Sequence, residues 1–173
     1  MSNLLFYNDN NLILDSMRFD ADQSVINDAV LVAHFFKTTT GDTKAITGVS
    51  NAGPIVITSA GHGLSNGEKV VVLHVLGNTA ANGCWTVANV TTDTFELAGS
   101  VGNGLYNRGG DWYRAVTGAH DLSMVHQVGS NGKYLAVVPY SIDRLPNESC
   151  RLVILCSNYN YQMERDHSVT LRQ

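Results

Sequence analysis

The chain has 173 residues, of which 44% are hydrophobic and 15% are charged. This length suits one ordinary domain or two small ones, and the hydrophobic fraction is sufficient for a well-formed core. The formal net charge is −4, and no two of the eleven Lys and Arg residues are adjacent, which argues against nucleic acid as the main partner because phosphate binding requires a cationic face.

Segments that would direct the chain into a membrane are not predicted. No uninterrupted apolar run is long enough to cross a bilayer, so we expect no membrane-spanning helix. The first residues carry neither a basic region nor a long apolar stretch, so we expect no secretory signal.

The cysteines are three in number, Cys84, Cys150 and Cys156, an odd count without the spacing of a zinc finger. On a regular strand, Cys150 and Cys156 would share one face but lie about 20 Å apart, too far for a disulfide bond. We therefore expect buried, reduced thiols in a protein that is made in a cytosol.

Short apolar runs between polar turns predict an all-β chain, and helical periodicity is nearly absent. A short turn at residues 22–28 is the best helical candidate. In chain order, we predict strands at residues 4–7, 29–37, 69–75, 122–128, 133–138, 151–156 and 168–171.

The middle of the chain, residues 46–113, alternates Val, Ile, Thr and Trp between Asn-Gly and Gly-Pro pairs. This pattern predicts a small barrel of antiparallel strands. The order of its phrases resembles the ubiquitin-activating-enzyme first-catalytic-cysteine-half-like barrel, a module that recurs in structural proteins of tailed bacteriophages. The phrases are Gly61-His-Gly-Leu-Ser-Asn-Gly-Glu-Lys-Val70, Asn82-Gly-Cys-Trp-Thr-Val87 and Thr94-Phe-Glu-Leu97. The resemblance implies a part of a virus particle and not an enzyme.

Polar segments at residues 38–43 and 117–121 flank this barrel. We therefore predict an inserted barrel at residues 44–115 within an outer domain made of residues 1–43 and 116–173. The ends of an inserted module must lie close together, which a barrel permits because its first and last strands can pair.

Paired strands around polar turns predict an immunoglobulin-like (Ig-like) sandwich for the outer domain. The phrases at residues 129–139 and 145–154 resemble small Ig-like domains of phage particle proteins, including the amino-terminal domains of some baseplate proteins. The predicted fold is thus all-β, an Ig-like β-sandwich with an inserted small antiparallel β-barrel.

Residue patterns for catalysis or metal binding are missing from the sequence. Cys84 has no neighbouring base to activate it, and the six histidines occur singly, which favours structural roles. Residues 20–31 begin like a calcium loop, but Val25 and Leu31 replace the Gly and Glu that such a loop requires. A solvated turn with local Asp hydrogen bonds is the better interpretation. We expect no enzyme activity, no cofactor and no metal, with calcium binding at residues 20–31 as the alternative.

The glycine-rich segment at residues 99–110 lacks dinucleotide-binding spacing and is predicted to be a flexible hairpin that serves as a contact loop at one end of the barrel. Exposed aromatic residues favour interfaces or sugar stacking. Alternatively, Trp112 closes the barrel, which is the favoured interpretation for that residue, and the tyrosines edge a sheet. The predicted partner contacts are Tyr106, Arg108, Trp112, Tyr159 and Tyr161.

The resemblance to phage proteins implies a non-enzymatic virion protein, made in the bacterial host cytoplasm and located in the particle. Our first expectation is a capsid cement, or decoration, protein that binds the outer face of the major capsid lattice. The alternatives are a neck or tail component (adaptor, collar or baseplate attachment) and a glycan-binding module on the particle exterior. The expected partners are the major capsid protein or other virion proteins, with self-association on the particle.

Overall fold

The structure, a computed structural model, describes residues 4–7, 11–15, 17–18, 22–39, 41–118, 120–139, 150–157 and 161–169, with the backbone alone for residues 4–7 and 161–169. Within this part of the chain, every regular element is a β-strand except a 3-10 helix at Thr79–Ala81, which confirms the all-β prediction. In chain order, the strands are β1 (Leu4–Tyr7), β2 (Asn11–Leu14), β3 (Leu31–Lys37), β4 (Thr43–Ala45), β5 (Gly48–Val49), β6 (Ile55–Thr58), β7 (Lys69–Leu73), β8 (Gly83–Ala88), β9 (Thr94–Leu97), β10 (Asp111–Arg114), β11 (Leu122–His126), β12 (Tyr134–Val137), β13 (Cys150–Cys156) and β14 (Tyr161–Val169).

The chain divides into two compact units, which we call the sandwich unit (residues 1–35 and 116–173) and the barrel unit (residues 36–115). The predicted boundary at residue 43 differs from this division. Residues 36–43 belong to the barrel unit because Phe36 bridges Ala115 and because β4 pairs with β10.

The sandwich unit is built on one antiparallel sheet in the order β1-β2-β12-β11-β3-β13-β14. Strand β11 changes partner along its length: Leu122–Met124 pair with β3, whereas Val125 and His126 pair with β12. This exchange divides the sheet into two halves that share one core, as in a β-sandwich. The core side chains come from both halves, and they include Leu12, Leu14, Leu31, Phe35, Tyr134, Leu152 and Ile154.

The predicted helical turn at residues 22–28 is wrong, because the described backbone there contains no helix. Val25 instead bridges Arg18, and the Ile26 N–H donates to the carbonyl oxygen of Met17 at 3.0 Å. Asp22 accepts hydrogen bonds from the N–H and hydroxyl of Ser24, which lowers the pKa of its carboxyl group. These bonds at Asp22 agree with the interpretation preferred over a calcium loop for residues 20–31, a turn with local Asp hydrogen bonds; residues 20 and 21 lie outside the described part of the chain.

The barrel unit consists of a curled antiparallel sheet in the order β4-β10-β7-β8-β9-β6-β5. Its two edge strands are the two halves of one short segment, residues 43–49. The Ile46 N–H donates to the carbonyl oxygen of Gly110 at 2.8 Å, whereas the next N–H, of Thr47, donates to Thr58 at 2.9 Å. The backbone therefore passes from one edge of the sheet to the other between residues 46 and 47, and this step closes the barrel. Strands β4 and β10, the first and last of the unit, pair as predicted.

The barrel core is apolar with one aromatic series at its centre. Trp112 is fully buried and meets Phe95 edge-to-face, with ring centroids 6.2 Å apart. Phe95 in turn meets His62 edge-to-face at 5.1 Å. Such edge-to-face contacts stabilise aromatic pairs beyond the area that they bury.

Most of the predicted strands are present, although several differ in their bounds. Strands β2, β4 and β10 were not predicted as separate strands, and β14 begins seven residues before the predicted strand at 168–171. Cys150 and Cys156 are the first and last residues of β13, and both are buried and free of disulfide bonds, as predicted.

Candidate interaction surface

One end of the barrel unit is formed by two loops, residues 76–82 and 99–110, which we call the apex loops. They are held to each other by backbone hydrogen bonds. Leu76 donates to the carbonyl oxygen of Arg108 at 3.0 Å, and Asn107 donates back to Leu76 at 2.9 Å. Gly102 donates to the carbonyl oxygen of Ala52 at 2.9 Å, which attaches the longer loop to a third segment.

Asparagine side chains complete this attachment because a carboxamide donates and accepts at the same time. Asn78 is fully buried; it donates to the carbonyl oxygen of Ser50 at 2.8 Å and accepts from the Asn103 N–H at 3.1 Å. The Asn103 side chain accepts from Ala80 at 3.1 Å and donates to Thr79 at 3.0 Å. The glycine-rich segment, predicted to be a flexible hairpin, is therefore bonded to its neighbours along much of its length.

Gly77 shows why glycine is required in these loops. Its φ is +91°, in the region that favours glycine, and an added Cβ would overlap the carbonyl oxygen of Leu105. The absence of a side chain at this position allows the two loops to approach each other.

The apex loops expose aliphatic side chains that have no place in a core. Val101 is 72% exposed and Leu105 is 81% exposed, and Leu76 also lies at the surface. The backbone that carries them is fixed by the hydrogen bonds above, so little conformational entropy would be lost when a partner covers them. Exposed apolar side chains on a fixed backbone can be covered by a partner at a low entropic cost, which suits a protein-protein contact.

Arg108 is exposed in the longer apex loop, in the position expected of a contact residue. Tyr106 is half-buried, and its ring packs against the barrel core. The Tyr106 hydroxyl lies within hydrogen-bonding distance of two carbonyl oxygens, those of Gly109 (3.0 Å) and Ile46 (3.2 Å). Tyr106 therefore anchors the loop, and Arg108 is the predicted contact residue that projects from it.

The remaining predicted contacts are not part of this surface. Trp112 is buried in the barrel core, so its ring has no face to offer a partner; the prediction of a partner contact there is corrected, and the favoured alternative, closure of the barrel, is what the structure shows. Tyr161 pairs with Cys156 at the start of β14, where only the backbone is described. Tyr159 lies outside the described residues.

Sequence reasoning missed Val101, Leu105 and Leu76. The available signal was an aliphatic residue within a glycine- and asparagine-rich segment, where turn residues would otherwise be expected. Alternation alone does not reveal such a residue because it belongs to no strand.

The histidine and metal-ligand candidates from the sequence are not arranged for metal binding among the described residues. In the barrel unit, His62 accepts from the Leu64 N–H through Nδ1 at 3.0 Å, and its Nε2 lies 3.2 Å from the carbonyl oxygen of Thr94. Both ring nitrogens thus contact backbone groups of neighbouring loops, which is a structural role. Among the described residues, no group of three or more His, Cys, Asp or Glu side chains is arranged to hold a metal ion. The same residues include no helix of the length and hydropathy needed to cross a membrane.

Arg114 is the centre of a charged cluster in the barrel unit. Its guanidinium donates to Asp42 at 3.0 Å and to the carbonyl oxygen of Gly63 at 2.9 Å, and it lies 3.4 Å from a carboxylate oxygen of Glu68. The cluster joins β10 to the segment before β4 and to the loop before β7, which is a structural role.

Comparison of this sequence with models of protein families and with curated proteins found no match.

Proposed function

We propose that this chain is a non-enzymatic structural protein of a tailed-bacteriophage particle and that its apex loops bind another virion protein. The position we favour is that of a cement protein on the major capsid lattice. The placement in a phage rests on the resemblance of residues 46–113 to a barrel of phage structural proteins. The choice of a binding function rests on the apex loops.

The observation that carries the binding function is the pair Val101 and Leu105, two exposed aliphatic side chains on a hydrogen-bonded support. Burial of each side chain would contribute about 1.5–3 kcal/mol. Arg108 lies in the same loop and adds a guanidinium that suits a carboxylate. The matching partner surface is a shallow apolar depression with an acidic residue at its rim.

A cement protein can act through a modest contact because the contact is repeated over the whole shell. Each bound copy covers capsid surface, and neighbouring contacts on one lattice reinforce each other through high local concentration. Interfaces of this transient class bury less than about 1,200 Å², which is compatible with a contact made by a few side chains.

The test is binding of the purified chain to phage particles or capsids that lack it, measured by co-sedimentation. Leu105→Asp should reduce the bound fraction at least tenfold, because it places a carboxylate in an apolar contact. Val30→Asp is the matched control, since Val30 is an exposed aliphatic residue of the sandwich unit; it should bind as the unchanged chain does. Equal binding by both variants would show that the apex loops are not the surface that binds the particle.

Copy number in purified particles distinguishes the positions in the virion. An abundance close to that of the major capsid protein supports a cement protein, whereas the copies of a single ring would move the chain to the neck or tail. Absence of the chain from particles would refute the proposal that it is a virion structural protein. The glycan-binding alternative relied on exposed rings of Tyr106, Trp112 or Tyr161. Trp112 is buried, Tyr106 is bonded to its own chain, and only the backbone of Tyr161 is described, so no observation favours this alternative.

A further inference from the structure

The sandwich unit carries an apolar strip on the outer face of three neighbouring strands. We define the outer strip as Ile13 of β2, Val125 of β11, and Leu135 and Val137 of β12. Val125 is directly opposite Leu135, and Leu135 is directly opposite Ile13. Val125 is 63% exposed and Val137 is 62% exposed, and the other two side chains are partly exposed.

Strand alternation explains why these side chains point away from the core. Their sequence neighbours Leu12, Met124, Tyr134 and Ala136 are buried in the sandwich core, so the residues of the strip occupy the opposite face. A solvated sheet face normally carries polar residues at these positions. Four aliphatic side chains in adjoining register positions therefore indicate a face that another surface covers.

Charge indicates what covers it. The strip itself is uncharged, so a second copy of the same strip would meet no like charge. At the next alternate positions along β12 and β2 lie Lys133 and Asp15, one cation and one anion. Continuing the β2–β12 register by one residue places the two opposite each other at one end of the strip, within the same copy. A surface with an apolar centre and one charge of each sign beside it is complementary to itself when a two-fold axis relates two copies, because each cation can then approach the other copy's anion.

We infer that the outer strip binds a second copy of this chain, face to face about a two-fold axis, with Lys133 of each copy near Asp15 of the other. This inference does not depend on the proposed phage function, since it concerns the purified chain. The strip is smaller than the roughly 800 Å² per partner of a standard interface, so we expect a weak dimer with a Kd on the order of 100 µM.

Sedimentation velocity of the full chain, from about 5 to about 500 µM, measures this association. The sedimentation coefficient should rise with concentration, and Val125→Glu should weaken the association at least tenfold. Thr92→Glu is the control because it introduces the same charge at an exposed position of the barrel unit, outside both the strip and the apex loops; it should associate as the unchanged chain does. A chain that stays monomeric at every concentration, or a Val125→Glu variant that still dimerises normally, overturns the inference.

Charge reversal supplies a second test that does not alter the apolar residues. Lys133→Asp and Asp15→Lys should each weaken association, and the double variant should restore it, because the cation and anion have exchanged places. A double variant as weak as the single ones would overturn the two-fold arrangement. The particle-binding test of Leu105→Asp involves a different surface, so failure of one proposal can be told apart from failure of the other.

Discussion

The indole N–H of Trp112 donates a hydrogen bond to the Ser59 hydroxyl oxygen at 2.9 Å, and both residues are completely buried. The same hydroxyl donates to the carbonyl oxygen of Ala45 at 2.9 Å. Ser59 therefore links the central aromatic residue of the barrel to the strand segment that closes it. Because its N–H has a hydrogen-bond partner, the buried tryptophan can fill the core without leaving an unpaired donor there.

Ser59→Ala should lower the free energy of unfolding of the barrel unit by about 1–3 kcal/mol, because the indole N–H and the Ala45 carbonyl both lose a buried partner. Both tryptophans of the chain lie in the barrel unit, so tryptophan fluorescence during urea unfolding reports on that unit. Ser123→Ala, at an exposed position in the sandwich unit, is the control and should leave the fluorescence transition unchanged. An unaltered midpoint for Ser59→Ala would show that the hydrogen bond contributes no net stability.

Gly77→Ala should destabilise the barrel unit more than Gly67→Ala. Both glycines have a positive φ, +91° and +88°, but an added Cβ meets the Leu105 carbonyl oxygen at Gly77 and open space at Gly67. Gly67→Ala should therefore cost about 1–2 kcal/mol of backbone strain, and Gly77→Ala should cost a further 1–3 kcal/mol or so because the two loops must move apart. Urea unfolding followed by fluorescence gives both values, and equal losses would mean that the loops separate without cost.

Arg114→Met should destabilise the barrel unit by about 1–3 kcal/mol, because it leaves two partly buried carboxylates, Asp42 and Glu68, without their cation. Arg108→Met makes the same change at an exposed site and should stay within about 0.5 kcal/mol of the unchanged chain. Thermal and urea unfolding at two salt concentrations measure the difference. Similar stabilities for the two variants would indicate that the Arg114 cluster is no stronger than a surface charge.

The raised pKa of Tyr134 predicts that the sandwich unit loses stability at alkaline pH. Its hydroxyl accepts from the Ala29 N–H and donates to the carbonyl oxygen of Ile26, each at 2.9 Å, and burial raises its pKa above the ordinary value of 10.0. In the unfolded chain the phenol loses its proton at lower pH than in the folded chain. Above pH 10 or so the unfolded state therefore binds fewer protons, and stability falls as pH rises.

Tyr134→Phe tests this relationship. The variant should be less stable at neutral pH by about 1–3 kcal/mol, because the Ala29 and Ile26 groups lose their partner. Its stability should also decline less steeply between about pH 10 and pH 12 than that of the unchanged chain. Urea unfolding followed by circular dichroism at several pH values gives both slopes. Parallel pH profiles would show that Tyr134 is not responsible for alkaline unfolding.

Local pattern was enough to predict much of the fold. Short apolar runs bounded by polar residues predicted the bounds of β1 correctly and those of β3 and β7 approximately, because such runs mark strands that are buried over most of their length. Strand β2 was missed, although it is as short and as apolar as β1; its place in the sheet is fixed by pairing with β1 and β12, which no local pattern encodes. The expected turn at 22–28 failed because contacts with Met17 and Arg18, and not local helix propensity, determine that backbone.

By itself, the sequence determined that this chain forms strands, where most of them lie, and that its cysteines do not pair within one strand. These properties follow from the order of neighbouring residues. Only the tertiary structure decided which side chains reach the surface. Trp112 and Val101 are both hydrophobic and eleven residues apart, yet one is enclosed by β-strands and the other is exposed because bonds between Asn78 and Asn103 hold its loop outside the core. Contacts between distant segments fix this difference, and no local pattern encodes them.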